Sequence, residues 1–499
     1  MRQRSFMLCV LVLGALLVGA SASAGLSATH KRHHHHHRKP PDPTLSATFG
    51  PPTTVVKVSG SGFGDLEAVD IYFDTQDIAL ASTNGSGAFS NIAITVPASA
   101  LPGTHWVTAV GRKSGLSSQA TFTVRTDWAQ RGFSATHKGT NPYENVISPA
   151  NAASLDQAWS YTTGGPIDSS PTVAGGLVYV GSAYGTNTMY ALNAATGAVV
   201  WTYAAGGVDS SPAVANGIVY VGSLNGKVYW LNAATGALAT SYTTGDAIVS
   251  SPTVAHGIVY VGSRDGKVYA LNAGSAALVW SYTTGGLVDS SPAVAHGVVF
   301  VGSADGKVYA LNAASGALLW SATTGGPVPS SPAVANGVVY VGSGDGKVYA
   351  LNAATGAVVW TYTTGGYVQS SPAVANGVVY VGSGDDNVYA LNAASGALVW
   401  SYTTGGNIYT SPAVANGLVY IGSYDRKVYA LNAASGAVAW SYTTGSTIFS
   451  GPAVANGVVY AGSEDHTVYA FAPGAGYARR RAASPDPATL KPDLNLKPQ

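Results

Sequence analysis

Over the C-terminal two thirds of the chain, apolar and polar positions recur as one phrase of forty residues. It is cleanest from Ser331 to Ser370, SPAVANGVVYVGSGDGKVYALNAATGAVVWTYTTGGYVQS. Its proline returns at Pro171, Pro212, Pro252, Pro292, Pro332, Pro372, Pro412 and Pro452, forty residues apart except for a first step of forty-one. Within one phrase, Asn336-Gly337 parts PAVA from VVYV. Asn-Gly is the favoured pair where both central turn residues need positive φ. Asp345-Gly346 is expected to turn the chain the same way before KVYAL. NAATG closes a third turn, with Gly356 able to enter the left-handed region. Short apolar runs such as VVYV suit strands covered on both faces, and no helical periodicity appears. Each phrase is therefore four short antiparallel strands, and many such units in series predict an all-β propeller.

The blades can be counted. A tryptophan ends the last strand at Trp159, Trp201, Trp280, Trp320, Trp360, Trp400 and Trp440, with Thr240 in that slot once. The first such strand precedes the first proline, and the final phrase, Pro452 to Phe471, has three strands. The segment Ala158 to Thr163 is expected to complete the last of eight blades and so remove an open sheet edge. In the one phrase with Thr240, Trp230 replaces the usual alanine (VYWLN against VYALN). The two positions face each other across a hairpin, so the indole is expected to have moved to the neighbouring strand.

The segment Ala350 to Trp360, ALNAATGAVVW, resembles the tryptophan-docking repeat of the quinoprotein (PQQ-like) eight-bladed propellers, Ala-x-Asp-x-x-Thr-Gly-x-x-x-Trp. Ala350, Thr355, Gly356 and Trp360 match, whereas Asn352 replaces the aspartate, as do Asn193, Asn232, Asn272, Asn312, Asn392 and Asn432. The resemblance covers roughly 128–474. It implies a propeller and admits two kinds of relative, quinone-dependent dehydrogenases and non-catalytic envelope scaffolds. Dehydrogenases of this fold use a calcium or lanthanide held by acidic and amide groups, a catalytic aspartate and usually a ring of adjacent cysteines. The one cysteine here is Cys9. The aspartates Asp265, Asp305 and Asp345 precede glycines in turns, and His256 and His296 take the Asn336 slot, where histidine tolerates positive φ. No catalytic residue, PQQ or calcium is therefore expected. The reading is a non-catalytic member, with a PQQ-dependent dehydrogenase and a purely architectural surface protein as alternatives.

Composition adds little by itself. The net charge is +1, which offers no bulk attraction for nucleic acid. Arg2 and Arg4 precede the apolar run Phe6 to Gly19 and then Ala22-Ser23-Ala24, a pattern predicting a cleaved signal peptide over 1–24. That run is short for a membrane span, so a secreted or periplasmic envelope protein without a transmembrane segment in its mature form, and monomeric, is expected. Residues 25–42 contain His33, His34, His35, His36 and His37 among basic residues and prolines. They read as a disordered spacer with weak metal-capturing capacity. Residues 43–126 alternate in about seven short strands, predicting an immunoglobulin-like sandwich. The unit resembles bacterial Ig-like (IPT/TIG-like) modules, with Ser59-Gly60-Ser61-Gly62-Phe63 as their Gly-x-Gly-Phe turn and Trp106 expected in its core. Residues 127–157 read as a linker packed as a strap over the ring, 158–474 as the propeller, and 475–499 as a disordered tail.

Aligning the repeats with one another shows where they differ. Four residues before each proline stands a β-branched residue: Ile167, Val208, Ile248, Val288, Val328, Val368, Ile408 and Ile448. Its neighbours vary. Alternation along a strand sends neighbours to opposite sides, so the β-branched set is expected to be buried. The variable set, Asp168, Asp209, Asp289, Tyr367, Gln369, Asn407, Tyr409 and Phe449, is expected to gather with the second-to-third turns on one face of the ring. That face is the candidate binding surface for a protein or envelope polymer.

Overall fold

The structure, a computed structural model, describes residues 41–474, 485–493 and 495–498. The signal peptide and the His33 to His37 tract lie outside the described residues. Among the described residues no helix is long and apolar enough to cross a membrane.

The repeats fold as the phrase dictates. Residues 331–370 give strands Ala333–Ala335, Val338–Gly342, Lys347–Asn352 and Val358–Thr363, paired antiparallel in that order. Among the described residues seven sheets of the repeat region have four strands, and an eighth gains Thr140–Asn141 as a fifth. The sheets stand in a ring, and the fold is a β-propeller. Its closure uses Leu155–Thr162, which pairs antiparallel with Thr467–Pro473 and so supplies the outer strand of the sheet that holds the last repeat. This strand begins at Leu155, three residues before the boundary drawn from the sequence.

The first turn has positive φ at Asn336 (50°) and Gly337 (76°), and His256 (49°) and His296 (48°) take the same conformation. The Asp-Gly turn differs from the expectation. Only Gly346 has positive φ, because Asp345 is held by its own side chain. Its carboxylate accepts from the amides of Lys347 and, in the previous repeat, Gly325, and from the Tyr349 hydroxyl. This aspartate is thus a clamp between blades. Tryptophan docking is equally local. The Trp320 indole donates to the Ala353 carbonyl of the next blade at 3.0 Å. It lies so close to Gly356 that a Cβ there would meet the ring at 2.6 Å. Gly356 therefore answers both to its φ of 74° and to the neighbour's indole.

The expected indole transfer is present. Trp230 pairs directly with Thr240, is 1% exposed, and donates to the Ala273 carbonyl at 2.9 Å. That is the acceptor position used by Trp280 at Ala313 and by Trp360 at Ala393.

The strap does more than lie over the ring. It runs along the channel and meets the open edge of one innermost strand after another. Trp128 and Val173 exchange both backbone hydrogen bonds. The Val214 amide donates to Ala129, Val294 to Ala135, Val334 to Thr136, Val374 to Lys138 and Val414 to Gly139, at 2.7 to 2.9 Å. Val254 donates to the Gln130 side chain, and the Val454 carbonyl accepts from Asn141. Each valine is the middle residue of its three-residue inner strand, AVA or TVA. A buried amide without an acceptor costs free energy comparable to a lost hydrogen bond, so the strap satisfies the edges that a closed ring still leaves toward its axis.

Before the strap stands a β-sandwich. Thr44–Leu45, Val55–Gly60 and Phe89–Thr95 form one sheet, and Phe49–Gly50, Ser117–Val124, Gly103–Gly111, Ala68–Phe73 and Gln76–Ser82 the other. Val56, Ile94, Ile71, Val107 and Phe122 share its core. Trp106 is not in that core. Alternation along Gly103–Gly111 turns His105, Val107 and Ala109 inward and leaves Trp106 half-buried. His105 stacks on Phe73 and is held by Asp74 and the Leu101 carbonyl.

The described part of the tail, 485–493 and 495–498, makes contacts. It is held on the sandwich, where Gln119 donates to the Pro485 carbonyl at 2.8 Å and the Asp493 amide donates to Asp77 at 2.7 Å. Pro498 bridges to Leu80 on the edge strand. These contacts are polar and backbone-mediated, so no apolar pattern in the tail announces them.

Candidate functional site

The β-branched residue of every repeat, from Ile167 to Ile448, is at most 1% exposed. It presses on the end of the second strand of the preceding repeat, beside the second-to-third turn: Val368 packs against Gly342, where a Cβ would meet its methyl at 2.4 Å. The following residue consequently turns to the ring axis. There the repeats enclose a cavity of about 400 Å³ lined by Asp168, Asp209, Asp289, Gln369, Tyr409 and Phe449 among others. Six of the eight variable residues thus meet in one funnel. Tyr367 and Asn407 sit beside it, with Tyr367 edge-on to Tyr409 at 6.4 Å and Asn407 donating to the Tyr409 hydroxyl at 2.7 Å. The second-to-third turns contribute Tyr184, Arg264 and Glu464.

The funnel has two chemically distinct sides. On one, Tyr367, Tyr409, Tyr424 and Phe449 form a continuous aromatic row, with successive centroids 6.4, 5.2 and 5.4 Å apart. The other side is acidic. Arg264 and Asp289 neutralise each other in a two-point ion pair at 2.9 and 3.1 Å. Among the described residues Asp168 and Asp209 have no such partner, and each has one shielded carboxylate oxygen without a hydrogen-bond donor. Burial, with Asp209 and Glu464 nearby, pushes the Asp168 carboxyl up to about 7. Burial also raises Asp209, with Arg264 opposing and Asp289 adding to the shift.

Below these groups runs a belt of hydroxyls. The amide of Ser170 donates to Ser211 Oγ, Ser211 to Ser251, Ser251 to Ser291, Ser291 to Ser331, Ser331 to Ser371 and Ser371 to Ser411, at 2.9 to 3.2 Å. Gly451 donates back to Ser170 and closes the ring, but offers no hydroxyl to its own neighbour. The strap adds one charge at this level. Arg131 donates to Ser371 and Ser411 at 3.0 and 3.1 Å and lines the cavity. No carboxylate pairs with it among the described residues, and burial alone brings its guanidinium down to about 10. Sequence reading did not single out Arg131 or the serine belt. Arg131 lies in a segment without periodicity, and the serines are as regular as the structural residues around them. The available signal for Arg131 was a charge inside a stretch expected to be packed.

The quinone of dehydrogenases of this fold bears three carboxylates. It would meet Asp168, Asp209 and Glu464 here, against a single arginine without a counter-ion, so the lining does not fit it. Among the described residues no group of three His, Cys, Asp or Glu side chains is placed to hold a metal ion.

Geometry and repeat together define the class, a β-propeller of quinoprotein-type, tryptophan-docked repeats. Residues 130–209, 204–328, 323–411 and 404–479 match the family model described as outer membrane protein assembly factor BamB. The chain belongs to that family. No curated protein matches it. Among solved structures it is similar to the quinohemoprotein alcohol dehydrogenase from Comamonas testosteroni, with TM-score 0.62 and 16% identity over 70% of this chain and 81% of that one. It is also similar to BamB from Moraxella catarrhalis, with TM-score 0.55 and 21% identity over 64% and 99%. The computationally designed Ika8 protein matches with TM-score 0.58 and 19% identity over 63% and 99%. At these identities the likeness is one of fold.

Proposed function

We propose that this protein is a non-catalytic recognition or scaffold protein of the cell envelope, secreted, monomeric and free of cofactor, that binds a partner at the funnel mouth. The observation that carries the reading is convergence. The positions at which otherwise near-identical repeats differ meet in one concave site, where aromatic and acidic groups lie side by side. The family description points the same way, toward assembly of proteins at a membrane. The sandwich, read as an Ig-like spacer, joins the ring on the side of the Asn-Gly turns, where Thr126 and Asn456 exchange hydrogen bonds. The funnel mouth, formed by the other loops, is left free of it.

Changing Tyr367, Tyr409 and Phe449 together to serine tests the reading. Partner capture from native envelope by the purified protein should be lost, with a nearly unchanged melting midpoint. Equal capture by the triple variant would overturn it. The likeness to alcohol dehydrogenases supports a second reading, a quinoprotein oxidoreductase. Reduction of a dye with alcohols or sugars, after incubation with the quinone and calcium, would establish that reading and remove the first. No dye reduction is expected.

A further inference from the structure

The unmatched charges of the cavity have both signs. Once Arg264 and Asp289 are set against each other, among the described residues Arg131 remains at the floor without an ion-paired carboxylate, and Asp168 and Asp209 remain on the wall without an ion-paired cation, although Asp209 feels the charge of Arg264. Arg131 and the two aspartates line the same space yet form no ion pair. A guanidinium held only by two serine hydroxyls is underserved. It has five N–H donors in a planar fork suited to a carboxylate. A carboxylate with one oxygen shut away from water and from donors must have its charge met through the other oxygen. Glu464 adds a further carboxylate, which accepts from the Thr447 hydroxyl and, among the described residues, from no cation. With the three carboxylates ionised, the groups outside the Arg264–Asp289 pair stand at one positive against three negative. The remaining lining includes apolar surface from Val249, Pro329 and Phe449. The cavity volume falls within the range of small-molecule sites, roughly 300–1,000 Å³.

Resting on the reading of the funnel as a recognition site, we propose that its interior binds a basic amino acid or a short basic peptide. The ligand's carboxylate lies on Arg131, and its ammonium groups lie against Asp168 and Asp209. A simple anion would satisfy Arg131 and leave the acidic wall repelling it. A simple cation would satisfy the wall and leave the arginine desolvated. A ligand with one carboxylate and two cationic groups matches both poles and opposes the net negative charge.

The test is calorimetric titration of the full chain with lysine, with cadaverine (lysine without its carboxylate), with norleucine (lysine without its side-chain ammonium) and with glutamate. Lysine should bind, and cadaverine, norleucine and glutamate should each bind at least about 30-fold more weakly, the scale of leaving one buried charge unpaired. In Arg131→Met, lysine should fall to the level of cadaverine while cadaverine itself is little changed. In Asp168→Asn/Asp209→Asn, lysine should fall to the level of norleucine. The second variant leaves the strap untouched, so a folding defect in Arg131→Met does not remove the test. Binding of neither lysine nor lysyl-lysine at about 1 mM ligand, or equal binding of lysine and cadaverine by the unaltered protein, would overturn the proposal. Lysyl-lysine binding where lysine does not would assign the site to peptides, as the proposal allows. Failure here, with partner capture still dependent on Tyr367, Tyr409 and Phe449, would remove the ligand assignment and leave the recognition site standing.

Discussion

At the scale of the residue, two substitutions within an otherwise uniform repeat make sharp predictions. The Trp230 indole fills the pocket and makes the hydrogen bond that a last-strand tryptophan makes elsewhere. Trp230→Ala should cost about 3–5 kcal/mol, and Thr240→Trp about 1–3 kcal/mol through overpacking. The double change restores the usual pair, so it should cost much less than the sum. A double-mutant cycle in urea decides it, and additivity would mean the two sites share no pocket. Asp168 makes a prediction of a different kind. Its carboxyl is raised from 3.8 to about 7, first by burial and then by Asp209 and Glu464. Tyr424 also feels its charge. Between those two values the folded protein retains a proton that the unfolded chain releases, so stability from this group falls as pH rises across the window. Asp168→Asn should therefore raise the melting midpoint at about pH 8, by a free energy on the order of 1–2 kcal/mol, and change little near pH 4. An equal gain at both values would show that the effect is not ionisation.

At the scale of the element, the strap is the part least legible in the sequence. Its neighbours are chosen by position, since each PAVA strand presents the same valine amide to the axis and the strap supplies acceptors in passing. Side-chain pattern hardly enters, which explains why Trp128 to Asp156 looks irregular. Gly139 shows the tightness of the fit. Its φ is 62°, and a Cβ there would lie 2.7 Å from that of Ala373. Gly139→Ala should destabilise the ring by about 1–3 kcal/mol through strain and crowding, read as a lower urea midpoint. A midpoint equal to that of the unaltered protein would mean the strap yields at this point.

At the scale of the whole molecule, the ring is closed by a strand that the chain makes before it makes the first complete repeat. A protein beginning at Gly164 lacks both Leu155–Thr162 and the strap. It should expose the edge at Thr467–Pro473 together with the inner-strand amides, and aggregate or lose its cooperative transition. Removing 25–124 alone should leave the ring folded, because the sandwich keeps a core of its own. If the form starting at Gly164 melts like the longer one, closure does not depend on these segments.

The sequence by itself determined the blade. Its strands, its Asn-Gly and NAATG turns, its docked tryptophan and the displaced indole of Trp230 are all set by residues within forty positions, where alternation and turn chemistry act locally. The same local logic identified which residue before each proline is buried, and hence which set varies. What only the tertiary structure decided is where that varying set goes and what meets it. The eight near-copies face one axis, so residues forty positions apart become neighbours around a cavity, and small sequence differences become a wall with an aromatic side and an acidic side. Arg131 reaches that cavity from a segment with no repeat at all, and Trp106 yields its expected core place to His105 through a one-residue phase in the strand. These outcomes depend on ring closure and on the threading of the strap, and contacts of such sequence separation leave no periodic trace in the chain.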